Sequence, residues 1–291
     1  MNKLIKNLQK KSILISDGAT GTNLQQRGLI KGKAPESWVF EKPEEIIQLE
    51  KDFINAGADI ILTCTFGASS IRLKQNGIER KPSEIINAAV KLAKQAVNGK
   101  DIMIGGSIGP LGHMLKPFGD LDIDVAKENY LEQAVALANA GVDFLIIETQ
   151  YDINEVKIAI EACQIGSELP IVCSFSYDRG TRTMMGLKPA QAASELENSG
   201  ISMTGINCGK SLEDNLKCLI ELRQSTQLPI WFKPNAGLPK VDEKGNTTYS
   251  ISPEEMGQQV KKWISEGAAV VGGCCGTSPA HLEAIARSAR H

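Results

Sequence analysis

Short apolar, β-branched runs alternate along the whole chain with stretches that are apolar on one side only. The runs are Ile13-Leu14-Ile15, Asp59-Ile60-Ile61-Leu62, Ile102-Met103-Ile104, Phe144-Leu145-Ile146-Ile147, Ile171-Val172-Cys173-Ser174, Met203-Thr204-Gly205-Ile206, Ile230-Trp231-Phe232 and Ala269-Val270-Val271. Runs this short and this continuously apolar predict eight strands buried on both faces. Between them, Ile46-Ile47-x-Leu49-Glu50-x-x-Phe53, Ile85-Ile86-x-x-Ala89-Val90-x-Leu92-Ala93, Tyr130-Leu131-x-x-Ala134-Val135-x-Leu137 and Met256-x-x-x-Val260-x-x-Trp263-Ile264 repeat at three and four residues. That spacing predicts helices with one buried face. Several of these helices run into a glycine just before the next strand, as at Gly57, Gly141, Gly200 and Gly267, where a left-handed residue closes a helix. Strands joined by crossover helices are parallel. Eight of them, without a change of composition or a long linker, predict one α/β domain over residues 1–291, a (β/α)8 or TIM barrel. A doubly wound open sheet is the alternative.

A barrel gathers its chemistry at the C-terminal ends of its strands. The residues that close the runs are Asp17, Cys64 with Thr65, Ser107, Glu148, Phe175, Cys208, Asn235, and Cys274 with Cys275. Polar and metal-binding groups crowd that end, whereas proline, glycine and lysine dominate the other. Cys274 and Cys275 are adjacent, and a disulfide between neighbours strains the peptide. With glycines on both sides they read as two sulfurs aimed at one point, with Cys208 as a third. Three protein donors and one open position describe a catalytic zinc site. Three buried, inert cysteines are the plainer alternative.

Composition narrows the classes. Hydrophobic residues make up 42% of the 291 and charged ones 23%, at a net charge of -2, which describes a soluble globular protein. No basic stripe favours nucleic acid, and no apolar run of about 18 residues favours a membrane. The start, Met1-Asn2-Lys3-Leu4-Ile5-Lys6, is too polar for a secretory signal. Seven thinly spread cysteines suit a reducing cytoplasm, and with only three histidines a metal site would be built from sulfur or oxygen.

The strand ends taken in order are Asp17-Gly18-Ala19-Thr20-Gly21-Thr22, Thr63-Cys64-Thr65-Phe66-Gly67-Ala68, Gly106-Ser107-Ile108-Gly109-Pro110, Glu148-Thr149, Gly205-Ile206-Asn207-Cys208, Pro234-Asn235-Ala236-Gly237 and Gly272-Gly273-Cys274-Cys275-Gly276. Together they resemble the homocysteine S-methyltransferase family, which includes the homocysteine-binding barrel of cobalamin-dependent methionine synthase. The resemblance implies that Cys208, Cys274 and Cys275 bind zinc and that the homocysteine thiol takes the fourth position. Three thiolates on Zn2+ leave the site formally at -1, and the substrate thiolate brings it to -2, so the bound sulfur stays nucleophilic. Glu148 corresponds to the residue that holds the substrate ammonium, with Asp17 beside it; both are expected to be catalytic. Gly18, Thr65, Phe66 and Gly67 belong to turns expected to receive the substrate carboxylate on backbone N–H groups. Asn235 corresponds to an asparagine that fills the open metal position in the absence of substrate. Ser107 and Asn207 are expected to line the substrate or to stand just behind it.

Other residues stay open. Methionine synthases tend to have asparagine where this chain has Cys64, and a fourth cysteine ligand would close the site to substrate. Cys163, Cys173 and Cys218 fall in apolar patterns and are expected in the core. His113 follows the Gly109-Pro110 turn, lining the pocket or facing solvent, and His281 belongs to the first turn of the last helix. Trp38 shades the site or anchors its loop. Lys233 reads as a strand-terminal residue, which leaves a Schiff-base lyase poorly supported. No folate barrel, cobalamin domain or activation domain accompanies the motifs, so the donor is expected to be a small molecule or a separate protein. Methylcobalamin on a corrinoid protein is the first expectation. S-methylmethionine, another sulfonium or betaine is the alternative, received by aromatic faces among Phe66, Tyr151, Phe175, Tyr177 and Trp38. A non-catalytic subunit that holds zinc and a thiol is the other class.

Overall fold

All eight apolar runs become neighbouring parallel strands. In the computed structural model, which describes residues 2–241 and 247–290, they are β1 (Leu14–Ile15), β2 (Ile60–Leu62), β3 (Met103–Ile108), β4 (Phe144–Gln150), β5 (Ile171–Phe175), β6 (Met203–Cys208), β7 (Ile230–Pro234) and β10 (Ala268–Val271). The order around the sheet is β1-β10-β7-β6-β5-β4-β3-β2, and a parallel bridge between Ser16 and Ile60 joins its two ends. The sheet is therefore a ring, a (β/α)8 barrel, and the open-sheet alternative is eliminated. Residues 1, 242–246 and 291 of the expected single domain lie outside the described residues.

Seven helices cross from strand to strand, Pro43–Asn55, Pro82–Val97, Ile123–Ala140, Ile153–Gly166, Pro189–Leu196, Leu212–Ser225 and Pro253–Ser265, and an eighth, Pro279–Arg290, follows β10. Proline stands in the first turn of Pro43–Asn55, Pro82–Val97, Pro189–Leu196 and Pro253–Ser265, where its missing N–H costs nothing. Ser211 and Ser252 cap their helices by accepting from the backbone N–H three residues on. Gly141 ends Ile123–Ala140 at φ 81°, as the sequence pattern predicts.

The barrel interior is a small cluster in which Phe144 and Trp231 meet edge to face, with ring centroids 5.9 Å apart. Glycines make room for them. A Cβ on Gly105 would lie 2.5 Å from the Phe144 ring, and one on Gly205 would lie 2.3 Å from the Trp231 carbonyl oxygen. An N-terminal helix, Lys3–Lys11, which the sequence pattern did not reveal, adds Leu4 to this cluster with no exposed surface. A second unpredicted element is the antiparallel hairpin β8 (Pro239–Val241) and β9 (Thr247–Tyr249), which follows β7 outside the ring.

The ring is thinnest at β1. Leu14 and Ile15 pair with Val270 and Val271 on β10, whereas toward β2 there is a single bridge, with backbone hydrogen bonds from Asp17 N to Ile60 O at 3.0 Å and from Asp59 N to Ile15 O at 2.7 Å. Carboxylates supply part of what the ladder lacks: Asp59 Oδ2 accepts from Ile15 N at 2.9 Å, and Asp17 Oδ2 accepts from Leu62 N at 2.7 Å. Among the described residues, no helix is long and apolar enough to cross a membrane.

Candidate metal and substrate site

Cys208 ends β6, and Cys274 and Cys275 follow β10 after Gly272 and Gly273. The turn around them is fixed by backbone contacts: Cys274 N donates to Pro234 O at 2.9 Å, and Thr277 Oγ1 donates to Cys274 O at 2.6 Å. Gly273 is required there, since a Cβ would lie 2.3 Å from the Thr277 methyl. The three sulfurs lie within 4.8 Å of one another, and Cys208 and Cys274 are 2.9 Å apart. Among the described residues no other three His, Cys, Asp or Glu side chains converge in this way. The thiols share protons unevenly. Hydrogen bonds from Cys208 and then Cys274 hold Cys275 well below the usual thiol range. Cys208 is pushed up by its hydrogen bonds to Cys274 and Cys275, and then by burial. Three half-buried thiolates so close together would repel strongly, so a cation is the natural fourth member of the cluster. The donor set is all sulfur, which suits zinc. Asn235 adjoins the cluster through its backbone, its N donating to Cys208 O at 3.1 Å; its Nδ2 donates to Gly209 O at 2.9 Å, and its Oδ1 is buried with no hydrogen-bond partner among the described residues.

Beside the sulfurs lies a buried charge network. Ser107 Oγ donates to Glu148 Oε1 at 2.5 Å. Burial raises the Glu148 carboxyl to about 7, against the downward pull of Lys233 and with a further upward push from Cys274. Lys233 Nζ lies 2.5 Å from Asp17 Oδ1, and both side chains are 3% exposed. Burial works to lower the Lys233 ammonium, but Asp17 and then Glu148 outweigh it, so it stays charged. A protonated lysine is no Schiff-base nucleophile, and the lyase class loses its one candidate. Asp17 was expected to touch substrate; its Oδ1 accepts from Lys233 and Ser16 Oγ, and its Oδ2 accepts from Leu62 N. It lines the cleft as a counter-ion with both oxygens engaged.

These groups open into a cleft of about 570 Å³ lined in part by Gly18, Phe66, Gly67, Ser107, Glu148, Lys233 and the three cysteines. Three residues expected on its wall, Thr65, Asn207 and Asn235, are not among those that line it. Thr65 has no exposed surface and donates from Oγ1 to Ser107 O at 2.7 Å. Asn207, also without exposed surface, spends its amide on Thr149, Ser174 and the sulfurs. Gly67 faces the cleft, but its N–H already donates to Glu36 Oε1 at 2.6 Å. That donor is therefore not open to a substrate carboxylate while Glu36 stays in place.

A model of the homocysteine S-methyltransferase family matches residues 14–289, nearly the whole barrel with every strand-end motif. The chain belongs to this family. Within the homocysteine S-methyltransferase family, it is 26% identical to methionine synthase of Mycobacterium tuberculosis (strain ATCC 25618 / H37Rv) and 27% identical to that of Mycobacterium leprae (strain TN). Each match covers 94% of this chain but only 24% of the methionine synthase, so the chain spans about a quarter of those proteins. In structure it is similar to the homocysteine methyltransferase MmuM from Escherichia coli in its metallated form, at a TM-score of 0.84 and 24% identity over 98% of this chain and 99% of that one. The apo form of MmuM gives 0.75 over 97% of each chain.

Among the residues of this homocysteine S-methyltransferase barrel that line the cleft, Lys233, Glu36, Arg72 and Tyr249 escaped the sequence reading as site residues. Lys233 had a signal, a lone charge closing an apolar run; the other three lie in connecting segments without one. The remaining open residues fall into place. Cys64 borders the cleft but is outside the sulfur cluster, and its thiol is pushed well up by burial and then by Glu36 and Glu50. Cys163 and Cys218 are buried, each pushed up by burial to about 12. His113 bridges Gln75 and Asp120 outside the cleft. His281 lies in the first turn of the last helix, between Ser278 and Ile251 O. Trp38 is buried in a short helix as an anchor and does not shade the site.

Proposed function

We propose that this chain transfers a methyl group to the thiol of L-homocysteine, forming methionine, with zinc held by Cys208, Cys274 and Cys275. The observation that carries it is the meeting of these three sulfurs, from β6 and the turn after β10, in the cleft that Glu148 also lines. Zinc bound there would supply a thiolate at neutral pH, which a free thiol of pKa about 8.5 scarcely provides. The chain's own residues do the rest. Glu148, oriented by Ser107, receives the substrate ammonium, because Lys233 is committed to Asp17. Asn235, whose Oδ1 has no partner among the described residues, would be the residue to hold the open metal position in the absence of substrate. One sulfur–carbon bond forms, the bond from donor to methyl breaks, the donor keeps the electron pair, and the thiol proton leaves to solvent.

The donor is proposed to be methylcobalamin carried on a separate corrinoid protein. The cleft is large for homocysteine alone, and the loops between strands on its face expose Ile30, Met114, Phe118, Met184, Met185 and Leu238. Large apolar side chains on one face suit a protein-borne donor. A sulfonium such as S-methylmethionine is the second reading, favoured by Phe66 and Tyr249, whose rings line the cleft. Trp38, Phe175 and Tyr177 are buried, and with Tyr151 they are not among the residues that line it. With seven free cysteines, the reducing cytoplasm is the proposed location.

The test supplies zinc-loaded protein and homocysteine with a methylated corrinoid protein, S-methylmethionine or betaine in turn, and measures methionine. Formation with the corrinoid protein is expected. Formation with S-methylmethionine alone would select the second reading, and none with any donor would leave a non-catalytic zinc and thiol-binding subunit. Cys275→Ala is expected to lose its equivalent of zinc; full retention would dissolve the ligand assignment.

A further inference from the structure

Asn207 sits where the two halves of the site meet. Its Oδ1 accepts from Thr149 N at 2.8 Å and from Ser174 Oγ at 2.6 Å. Its Nδ2 donates to Thr149 Oγ1 at 2.7 Å and faces two sulfurs, Cys208 Sγ at 3.6 Å and Cys274 Sγ at 3.8 Å. The amide cannot be turned over. A backbone N–H only donates, so a reversed amide would point its NH2 at the Thr149 N–H. One amide hydrogen therefore goes to Thr149 and the other is shared between the sulfurs.

The backbone around Asn207 is unusual at both ends of this network. Thr149 takes φ 62° and Cys208 takes φ 58°, the left-handed region that a β-branched residue seldom enters. Such conformations persist where surrounding contacts over-determine them, and they cluster at functional sites. Here Asn207 contacts both residues through its side chain, and Asn215 Nδ2 and Asn235 N also donate to Cys208 O at 2.7 and 3.1 Å. Thr149 directly follows Glu148, and Cys208 directly follows Asn207. The amide thus ties the end of β4 to the sulfurs supplied by β6 and the turn after β10.

We propose that Asn207 is a positioning residue that fixes the Cys208 and Cys274 sulfurs, draws charge from them through N–H···S hydrogen bonds, and locks them to the strand end that carries Glu148. This deepens the metal-site assignment above and rests on it. A thiolate that accepts an N–H bond donates less charge to a metal, which tempers a site whose three sulfurs are all anionic.

Cobalt(II) bound in place of zinc reports the sulfur electron density through its sulfur-to-metal charge-transfer band. Asn207→Leu removes every amide contact, while Asn207→Asp keeps an acceptor for Thr149 N and Ser174 Oγ and loses the N–H donors. Both variants are expected to move the band to lower energy, and Asn207→Leu to weaken metal binding about 10–100-fold in a chelator competition. An unmoved band in folded, metal-loaded variants would overturn the proposal. Should the variants fail to fold, nitrogen-15-labelled parent protein loaded with cadmium-113 gives the answer. One Asn207 amide proton is expected far downfield and coupled to the metal through sulfur. Two equivalent, uncoupled amide protons would overturn the proposal. A parent protein that binds neither metal would instead sink the metal-site assignment itself.

Discussion

Glu148 carries a conditional charge. Burial raises its carboxyl to about 7, and Lys233, Cys274, Ser107 and Asp17 all bear on it. A neutral carboxyl pairs poorly with an ammonium, so Glu148 is expected to add to the rise of homocysteine affinity with pH up to about 7, while the thiol, which gives up its proton on binding, carries the rise on toward its own pKa of about 8.5. Calorimetry across that range should find Glu148→Gln rising less steeply below about pH 7 than the parent, weaker by about 2–5 kcal/mol at neutrality, with zinc content unchanged. Equal affinity in parent and variant would remove Glu148 from the substrate. Lys233 makes a second case. Lys233→Met strands the buried Asp17 carboxylate and is expected to cost about 3–5 kcal/mol in urea unfolding, with part of the loss recovered in a Lys233→Met, Asp17→Asn double variant. No loss in the single variant would show that the pair contributes nothing. The three cysteines, Glu148 and Asp17 were legible because each closes an apolar run or follows one closely. Lys233 was not, because what gives it meaning is a carboxylate 216 residues away that only ring closure brings near. Asn207 was seen, but its role was not: nothing in Gly205-Ile206-Asn207-Cys208 says that the amide turns inward to Thr149 rather than outward to substrate.

The strands were legible for a plain reason: each is buried on both faces and so is written as an unbroken apolar run. Elements outside that rule were missed. In Lys3–Lys11 only Leu4 is fully buried, and in β8 and β9 three residues each lie in a polar connection. The interior strands also explain two glycines that weaken a strand pattern on paper. Gly105 and Gly205 yield their Cβ space to Phe144 and to the Trp231 backbone, so alanine at either position must displace ring or strand. Each substitution is expected to destabilise by about 1–3 kcal/mol. Gly21 is the contrast, because it lies within the helix Thr20–Gln26 and its nearest neighbour, Pro35, would be 3.6 Å from a new Cβ. Gly21→Ala is expected to stabilise by up to about 1 kcal/mol. Thermal unfolding of the three variants checks both signs, and a uniform loss would show that the available space does not decide them.

Seen as one ring, the barrel has a seam. Between β1 and β2 a single bridge and two backbone hydrogen bonds, Asp17 N to Ile60 O and Asp59 N to Ile15 O, are supplemented by the carboxylates of Asp17 and Asp59, while β4 and β5 share a longer run of paired residues. Local opening draws on the least-bonded part of a fold. The amides of Ile15 and Leu62 are therefore expected to exchange hydrogen by a local route, well before those of Ile146 and Val172, which should wait for global unfolding. Asp59→Asn should speed exchange at Ile15 and leave β4 and β5 unchanged; equal rates on both sides of the barrel would mean there is no seam. The cleft straddles this joint, with Gly18 on one side and Phe66 and Gly67 on the other. A ligand lodged there acts as a staple across the gap, so homocysteine should slow exchange most at the two amides nearest the seam, and the barrel should breathe least when its substrate is in place.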